Sequence, residues 1–394
     1  MIDLLDSIAK KEKRVAIGLM SGTSMDGIDA CLLEISGKGL DIRFQILKFI
    51  TVKYTSEEKS RIEGLCNNDR ATVKEICHMN KLLGEKFGDA AMKVCSAAGF
   101  SLEQVDFISS HGQTIYHMPE VGSTLQIGEL AEIAAKTNCI TVGDFRPSDM
   151  AYGGQGAPLV PFMDYVLFSH KEKGRILLNL GGIGNITVLP ANSKIADVLA
   201  FDTGPANVLI DSLVQKITNG DKLFDESGSM AMKGQINHDW LNELIHKDKY
   251  LDLEPPKSTG REYYTDEFAS NLYKKGIELG LKDIDIVSTI TAYTAKTVAN
   301  QINKFVLPRF SIEEIYVSGG GAHNKFIMGL LNEYLEMKVS TVEELGLSSD
   351  AKEAVAFAIL GNQFLLGETN NIPSATGANR DVIMGKLVFP SKEI

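Results

Sequence analysis

A short apolar run, a glycine-rich corner and a second β-branched run occur twice in this chain, and that repetition limits the architectures open to it. The first copy is Val15-Ala16-Ile17 leading into GLMSGTSMDGIDA from Gly18, with apolar residues resuming from Ile28 to Ile35. The second is RILLNLGGIGNITVLP, from Arg175 to Pro190. In both, the period after the corner is that of a strand, so each copy predicts a β-hairpin. One hairpin in each half implies a duplicated, two-lobed architecture with a cleft between the halves. Both corners would then have to converge on one ligand, and the lobes are expected to close on it.

Elsewhere, runs with strand and helix periods alternate, which argues for an α/β fold with largely parallel sheets. Strands are predicted at Val105–Ser110, Cys139–Val142, Val198–Phe201 and Glu314–Val317, and helices at Ser56–Glu63, Thr72–Ala98, Asn207–Ile217, Asn237–Lys247, Thr265–Val306 and Lys325–Leu335. The lobe boundary is expected near Phe145, giving lobes 1–145 and 146–394, with the extreme C-terminus free to return to the first.

A chain of 394 residues exceeds one ordinary core, and two lobes of roughly 150 to 200 residues are the natural division. A formal net charge of −11 gives the long-range field the wrong sign for nucleic acid or an anionic membrane. An anionic substrate therefore needs a local cationic or amide-lined pocket. The cysteines Cys31, Cys66, Cys77, Cys95 and Cys139 lack C-x-x-C spacing, so neither a zinc knuckle nor a disulfide framework is expected. The N-terminus lacks the basic and long apolar regions of a signal peptide, and no apolar run approaches the roughly 20 residues of a membrane span. A cytoplasmic protein is expected.

The chemistry is concentrated in a few segments. In the first corner, Gly22 and Gly27 let the backbone approach a ligand closely, Thr23 and Ser24 add hydroxyls, and consecutive amides make an anion-binding nest. Asp26 has the wrong sign for phosphate unless Mg²⁺ lies between them, bound mainly through water. A tight hairpin with polar decoration would need no ligand, but the second corner, Gly181-Gly182-Ile183-Gly184-Asn185, weighs against that. There is no G-x-x-x-x-G-K-[ST] sequence, and Gly184 is followed by a strand where a Rossmann site needs a helix. Gly319-Gly320-Gly321 joins a strand to a helix and could lie flat against a nucleoside or simply cap that helix.

Asp144 and Asp202 end apolar runs, where α/β sheets place ligands; a carboxylate there can be a general base or hold a metal's water shell. Arg146 could grip a substrate carboxylate in a fork, or form a solvated turn pair with Asp144. His111, Gln113, Thr114 and His117 in SSHGQTIYHM suit a ligand rich in hydroxyls or amides. In EPPKSTGREYYT, Lys257, Ser258, Thr259 and Arg261 could close over an anion or belong to an exposed loop.

Together the segments GLMSGTSMDGIDA, SSHGQTIYH, TLQIGE, VGDFRPSDMAYGGQGAPLVP, NLGGIGNIT, FDTGP, EPPKSTGRE, VSGGGAHN and PSATGA resemble the anhydro-N-acetylmuramic acid kinases, in the family's order from Gly18 to Ala378. The resemblance implies the actin-like ATPase fold shared by sugar kinases and Hsp70 proteins, with a βββαβαβα core in each lobe and ATP in the cleft. It implies that Gly22, Thr23, Ser24, Met25, Asp26, Gly27, Ile28 and Asp29 grip the ATP phosphates. Gly181, Gly182, Gly184 and Asn185 form the second phosphate hairpin, joined by Gly204, while Gly319, Gly320, Gly321 and Asn324 lie at the adenosine. Asp26 and Asp202 are the candidates to serve Mg²⁺.

The implied reaction uses ATP and water to turn 1,6-anhydro-N-acetylmuramic acid into N-acetylmuramic acid 6-phosphate. Asp144 matches the family's general base, and His111, Gln113, Thr114, Gln126, Glu129 and Arg146 are candidates to hold the sugar. The resemblance also implies a homodimer. Where the family has GPGN, this chain has Gly204-Pro205-Ala206-Asn207, and alanine does not take left-handed geometry cheaply. Other readings are a different sugar or carboxylate kinase of this fold, or an actin- or Hsp70-like ATPase that binds protein partners.

Overall fold

The computed structural model describes residues 2–22, 25–67, 69–261 and 263–391, so Thr23 and Ser24 of the first corner lie outside the described residues. The chain divides into two units, Met1–Leu167 with Asp350–Ile394, and Phe168–Ser349.

In the first unit the strands are β1 (Lys13–Ser21), β2 (Gly27–Ser36), β3 (Arg43–Lys53), β4 (Phe107–Met118), β5 (Ser123–Ile127) and β6 (Thr141–Gly143). Their order is β3-β2-β1-β4-β6, with β5 attached to β4. The meander β1-β2-β3 is antiparallel, whereas β4 runs parallel to β1, and β6 to β4. The second unit has β7 (Arg175–Leu180), β8 (Ile183–Leu189), β9 (Leu199–Pro205), β10 (Glu314–Ser318) and β11 (Lys338–Thr341). Its order, β9-β8-β7-β10-β11, and its strand directions repeat those of the first unit. Both predicted hairpins form, and each unit carries the strand pattern expected of an actin-like core.

Each sheet buries its own apolar faces. Ile17, Leu19, Leu32 and Ile108 pack with Leu83, Phe87 and Val94 of the helix Val73–Ala98. Ile176, Leu178 and Ile315 pack with Leu209, Ile290 and Tyr293 in the other unit. No helix among the described residues is long and apolar enough to cross a membrane.

The units divide after Leu167 instead of near Phe145, and the chain returns to the first unit after Ser349. The returning helix Lys352–Leu365 lies against β1 and β4 at glycine distance. A Cβ on Gly18 would stand 1.8 Å from the Ala354 carbonyl oxygen, and one on Gly361 2.6 Å from Ser109 Oγ. The last strand among the described residues is β12 (Lys386–Val388), antiparallel to β6 with Lys386 opposite Gly143.

Three local expectations shift. SSHGQTIYHM is part of a long strand, because β4 slips its register with β1 between Leu19 and Ser21 and then pairs with β5 from Gln113 onward. The helical stretch from Thr265 breaks into Asp266–Glu278 and Asp283–Gln301, with Gly280 at φ 74° ending the first. Ala206 sits at φ −114° as the N-cap of the helix Asn207–Ile217, so this position asks for no left-handed residue.

Candidate functional site

The parallel strands β1, β4 and β6 of the first unit end on one side of the sheet, and β12, running the other way, begins there. This edge gathers most of the predicted sugar-handling residues. Asp144 follows β6 at φ 54°, a backbone state that costs a non-glycine residue about 1–3 kcal/mol and is commonly retained at functional sites. Its Oδ2 pairs with the ammonium of Lys386.

Arg146 opens the short helix Arg146–Met150. Its Nε–H donates to His111 Nε2 at 3.1 Å and its Nη1 to the Gly156 carbonyl at 2.6 Å. Arginine can only donate, so His111 Nε2 is an acceptor and Nδ1 carries the proton, given to the Gly112 carbonyl at 2.9 Å. Burial, helped by the Arg146 charge, pushes the His111 pKa down to about 3. The Arg146 guanidinium is itself lowered to about 10 by burial. A neutral imidazole thus orients the guanidinium without adding a second positive charge. His117, in contact with Thr124 Oγ1, is likewise lowered to about 4, chiefly by burial.

The sign of the pH dependence follows. In the unfolded chain His111 takes a proton near 6.5, whereas in the folded protein it does so near 3. Between those values the unfolded state binds more protons, so stability falls as pH drops from 6.5 toward 3. Urea unfolding at several pH values should show a slope for the native protein exceeding that of His111→Gln by up to one proton, about 1.4 kcal/mol per pH unit. Parallel curves would show that folded His111 takes its proton as an exposed imidazole does.

The other predicted sugar residues divide. Gln126 Nε2 donates to Thr124 Oγ1 at 2.8 Å and to Thr114 Oγ1 at 3.3 Å. Its buried Oε1 has no partner among the described residues, an acceptor suited to a ligand's amide or hydroxyl. Gln113 faces the first corner, with Oε1 2.6 Å from Ser21 Oγ and Nε2 3.4 Å from the Gly22 carbonyl. Glu129 is taken up by the fold: one oxygen accepts from Ala131 N–H as the cap of the helix Leu130–Thr137, the other from Asn80 Nδ2.

Among the predicted phosphate residues, Ile28 is core and can offer only its backbone. Asp26 Oδ1 holds Lys59 Nζ at 2.7 Å, and Met25 takes φ 53° in the turn. Asp29 accepts from Thr51 Oγ1 at 2.6 Å; burial raises its carboxyl pKa, with Asp350 and Asp26 adding to the rise against the Thr51 hydrogen bond.

Sequence reasoning missed three groups here. Glu353, on the first turn of the returning helix, has its carboxyl raised by burial and by Asp29, with Lys352 and Arg146 opposing. Asp149 is fully buried: Oδ1 accepts from Asn371 Nδ2 and Thr376 Oγ1, and Oδ2 from Gly156 N–H. It thereby fixes the glycine loop whose Gly156 carbonyl holds Arg146. Lys386 is the third. PSATGA had marked the Thr376 region, but no local pattern announces Glu353 or Lys386, which are brought in by the chain's return.

The second unit assembles its own edge. Gly181 and Gly182 turn β7 into β8, and their carbonyls accept from the N–H groups of Asn207, Ala206 and Val208 at the start of the following helix. Gly319, at φ 80°, leaves β10 so close to β7 that a Cβ would stand 2.6 Å from Asn179 Oδ1 and 2.8 Å from the Leu180 carbonyl oxygen. Gly320 is open toward Asn207 Nδ2. Asn324 Oδ1 caps the helix Lys325–Tyr334 through Phe326 and Ile327 N–H. Gly184 stands opposite Gly204, and Asn185 opposite Asp202.

Asp202 Oδ2 accepts from Thr259 N–H at 2.9 Å, and its own N–H donates to the Lys257 carbonyl. Lys257 does not reach outward as a closing cation. Its ammonium is buried, donates to the Tyr250 carbonyl, and stands 4.6 Å from the Tyr250 ring centroid and 5.1 Å from that of Phe305. Burial lowers its pKa to about 8.

A family model described as anhydro-N-acetylmuramic acid kinase matches residues 14–390. The chain belongs to the anhydro-N-acetylmuramic acid kinase family. It is 46% identical to the anhydro-N-acetylmuramic acid kinase of Caldanaerobacter subterraneus subsp. tengcongensis, covering 98% of this chain and all of that one. Identity to the Clostridioides difficile anhydro-N-acetylmuramic acid kinase is 44%, covering 94% and 97%. Among solved structures, component A of the (R)-2-hydroxyglutaryl-CoA dehydratase of Acidaminococcus fermentans is 12% identical, with 88% of this chain and 96% of that chain covered and a TM-score of 0.45.

Proposed function

We propose that this chain uses ATP and water to convert 1,6-anhydro-N-acetylmuramic acid into N-acetylmuramic acid 6-phosphate and ADP. The observation that carries this reading is the family match over residues 14–390. In it, Asp144 takes a proton from a water whose oxygen bonds to the anomeric carbon. The bond from that carbon to O6 breaks, O6 attacks the γ-phosphoryl group, ADP leaves, and the proton passes from Asp144 to solvent.

The Arg146 fork, aimed by neutral His111, receives the substrate carboxylate, and Gln126 Oε1 accepts from a ligand N–H or O–H. Gly22 to Asp29 and Gly181 to Asn185 offer backbone amides to phosphate oxygens, and Gly319 to Gly321 lie against the nucleoside, with Gly204 and Asn324 supporting these turns. The donor set at Asp202 fits Mg²⁺ held by one carboxylate, water and phosphate oxygens, since Thr259 N–H fixes its Oδ2. Asp26 is already engaged by Lys59 and would serve through water. When bound, Mg²⁺ neutralises charge on the transferring phosphoryl group. A cytoplasmic homodimer that recycles cell-wall sugar belongs to the same proposal.

The test is to incubate the protein with ATP, Mg²⁺ and 1,6-anhydro-N-acetylmuramic acid in ¹⁸O-labelled water. A sugar 6-phosphate with one label at the anomeric oxygen is expected. A 6-phosphate that keeps the anhydro ring, or ATP turnover that ignores the sugar, would refute coupled ring opening.

A further inference from the structure

The C-terminal strand carries a residue to the proposed base, and several interactions fix where it arrives. Because β12 runs antiparallel to β6, the end of β6 and the beginning of β12 meet, and Lys386 stands opposite Gly143 beside Asp144. The turn before β12 is tied to the helix that follows Asp144, since Gly385 N–H donates to Ser148 Oγ at 3.3 Å. Upstream, Asn370 brackets Met384. Its Oδ1 accepts the Met384 N–H at 2.6 Å, and its Nδ2 donates to the carbonyls of Met384 and of Leu360 on the returning helix. Asn371 accepts from Val382 N–H and donates to Asp149.

Asn370 is fully buried and Asn371 nearly so, so a buried frame sets the register of a short edge strand. Its visible outcome at the site is the pairing of Lys386 with Asp144 Oδ2. That pairing is not an obvious device for stability. The Lys386 side chain is 61% exposed and that of Asp144 30%, and ion pairs so open to water contribute little. What such a pair does control is which way the carboxylate faces. A carboxylate left to rotate presents either oxygen equally, whereas one whose Oδ2 is paired presents Oδ1 a few times more often, for a pair worth up to about 1 kcal/mol.

We infer that Lys386 is a positioning residue for Asp144, its ammonium holding Oδ2 so that Oδ1 meets the attacking water. The inference rests on the reading of Asp144 as the base. It assigns Lys386 no contact with the reacting atoms.

The experiment compares native protein, Lys386→Met, Lys386→Arg and Asp144→Asn in steady-state kinetics with 1,6-anhydro-N-acetylmuramic acid, ATP and Mg²⁺. Circular dichroism and thermal melts check folding, and calorimetry measures sugar affinity. Lys386→Met is expected to melt and bind sugar like the native protein, to keep its KM, and to lose about two- to fivefold in kcat. Lys386→Arg, still cationic, should restore most of that loss. A raised KM and weakened sugar binding at unchanged kcat would make Lys386 a ligand of the substrate carboxylate and overturn the inference, as would unchanged kinetics. Near-native kcat in Asp144→Asn would instead remove the base itself, a failure separable from any result at Lys386.

Discussion

Asp144→Asn is expected to abolish most turnover, lowering kcat by about 10²–10⁴-fold, with little change in sugar or nucleotide affinity. Asparagine keeps the size of the side chain and tolerates the left-handed backbone at this position, so the fold should survive. Its amide still accepts hydrogen bonds but no longer takes a proton from water. The loss should therefore appear in single-turnover formation of the sugar phosphate, and the labelled-water product should fall with it. Retention of more than a tenth of native kcat would move the proton-accepting role elsewhere. Glu353, near enough to Arg146 and Asp29 for each to act on its ionisation, would be the next carboxyl to replace.

A second large effect is expected in stability. Lys352 and Asp164 form an ion pair at 2.8 Å with side chains only 5% and 2% exposed. Removing one member leaves a charge buried without its counter-ion, which typically costs about 3–5 kcal/mol. Lys352→Met should therefore lower the melting temperature by roughly 10 °C, at about 2–4 °C per kcal/mol for a unit of this size. Adding Asp164→Leu should recover much of the loss, because an apolar pair of similar volume can replace a buried ion pair at little cost. A single variant that melts within 2 °C of native in differential scanning calorimetry, on the order of one kcal/mol or less, would show that water reaches this pair.

These two effects mark what sequence reading could and could not reach. The hairpins were legible because glycine corners and period-two runs are local signals, and the duplicated sheet follows once both are recognised. Asp144, Arg146 and His111 were legible as residue types in characteristic company. Their connection was not, since the register slip after Leu19 that carries His111 toward Arg146 depends on pairing between distant strands. Glu129 was a candidate through its place in TLQIGE, and only the structure shows its oxygens accepting from Ala131 N–H and Asn80 Nδ2. Lys257 misled in the same way: its charge suggested solvent, but aromatic rings enclose it. Lys352, Glu353 and Lys386 were invisible because their meaning lies in contacts with residues far away in the chain.

The chain's return to its first sheet also orders events during synthesis. Proteins emerge from the ribosome at about 5–20 residues per second, and domains generally fold as units. Phe168–Ser349 is continuous and can fold as soon as it has emerged. The first sheet must wait, with Gly18 and Ser109 uncovered, until the helix Lys352–Leu365 arrives, and Asp144 lacks Lys386 until the last strand is made. A ribosome that stalls once Ser349 has emerged, with the returning helix still inside it, would thus hold a finished second unit beside an incomplete first one. The nascent protein gains its proposed base in working form only after Lys386 has emerged.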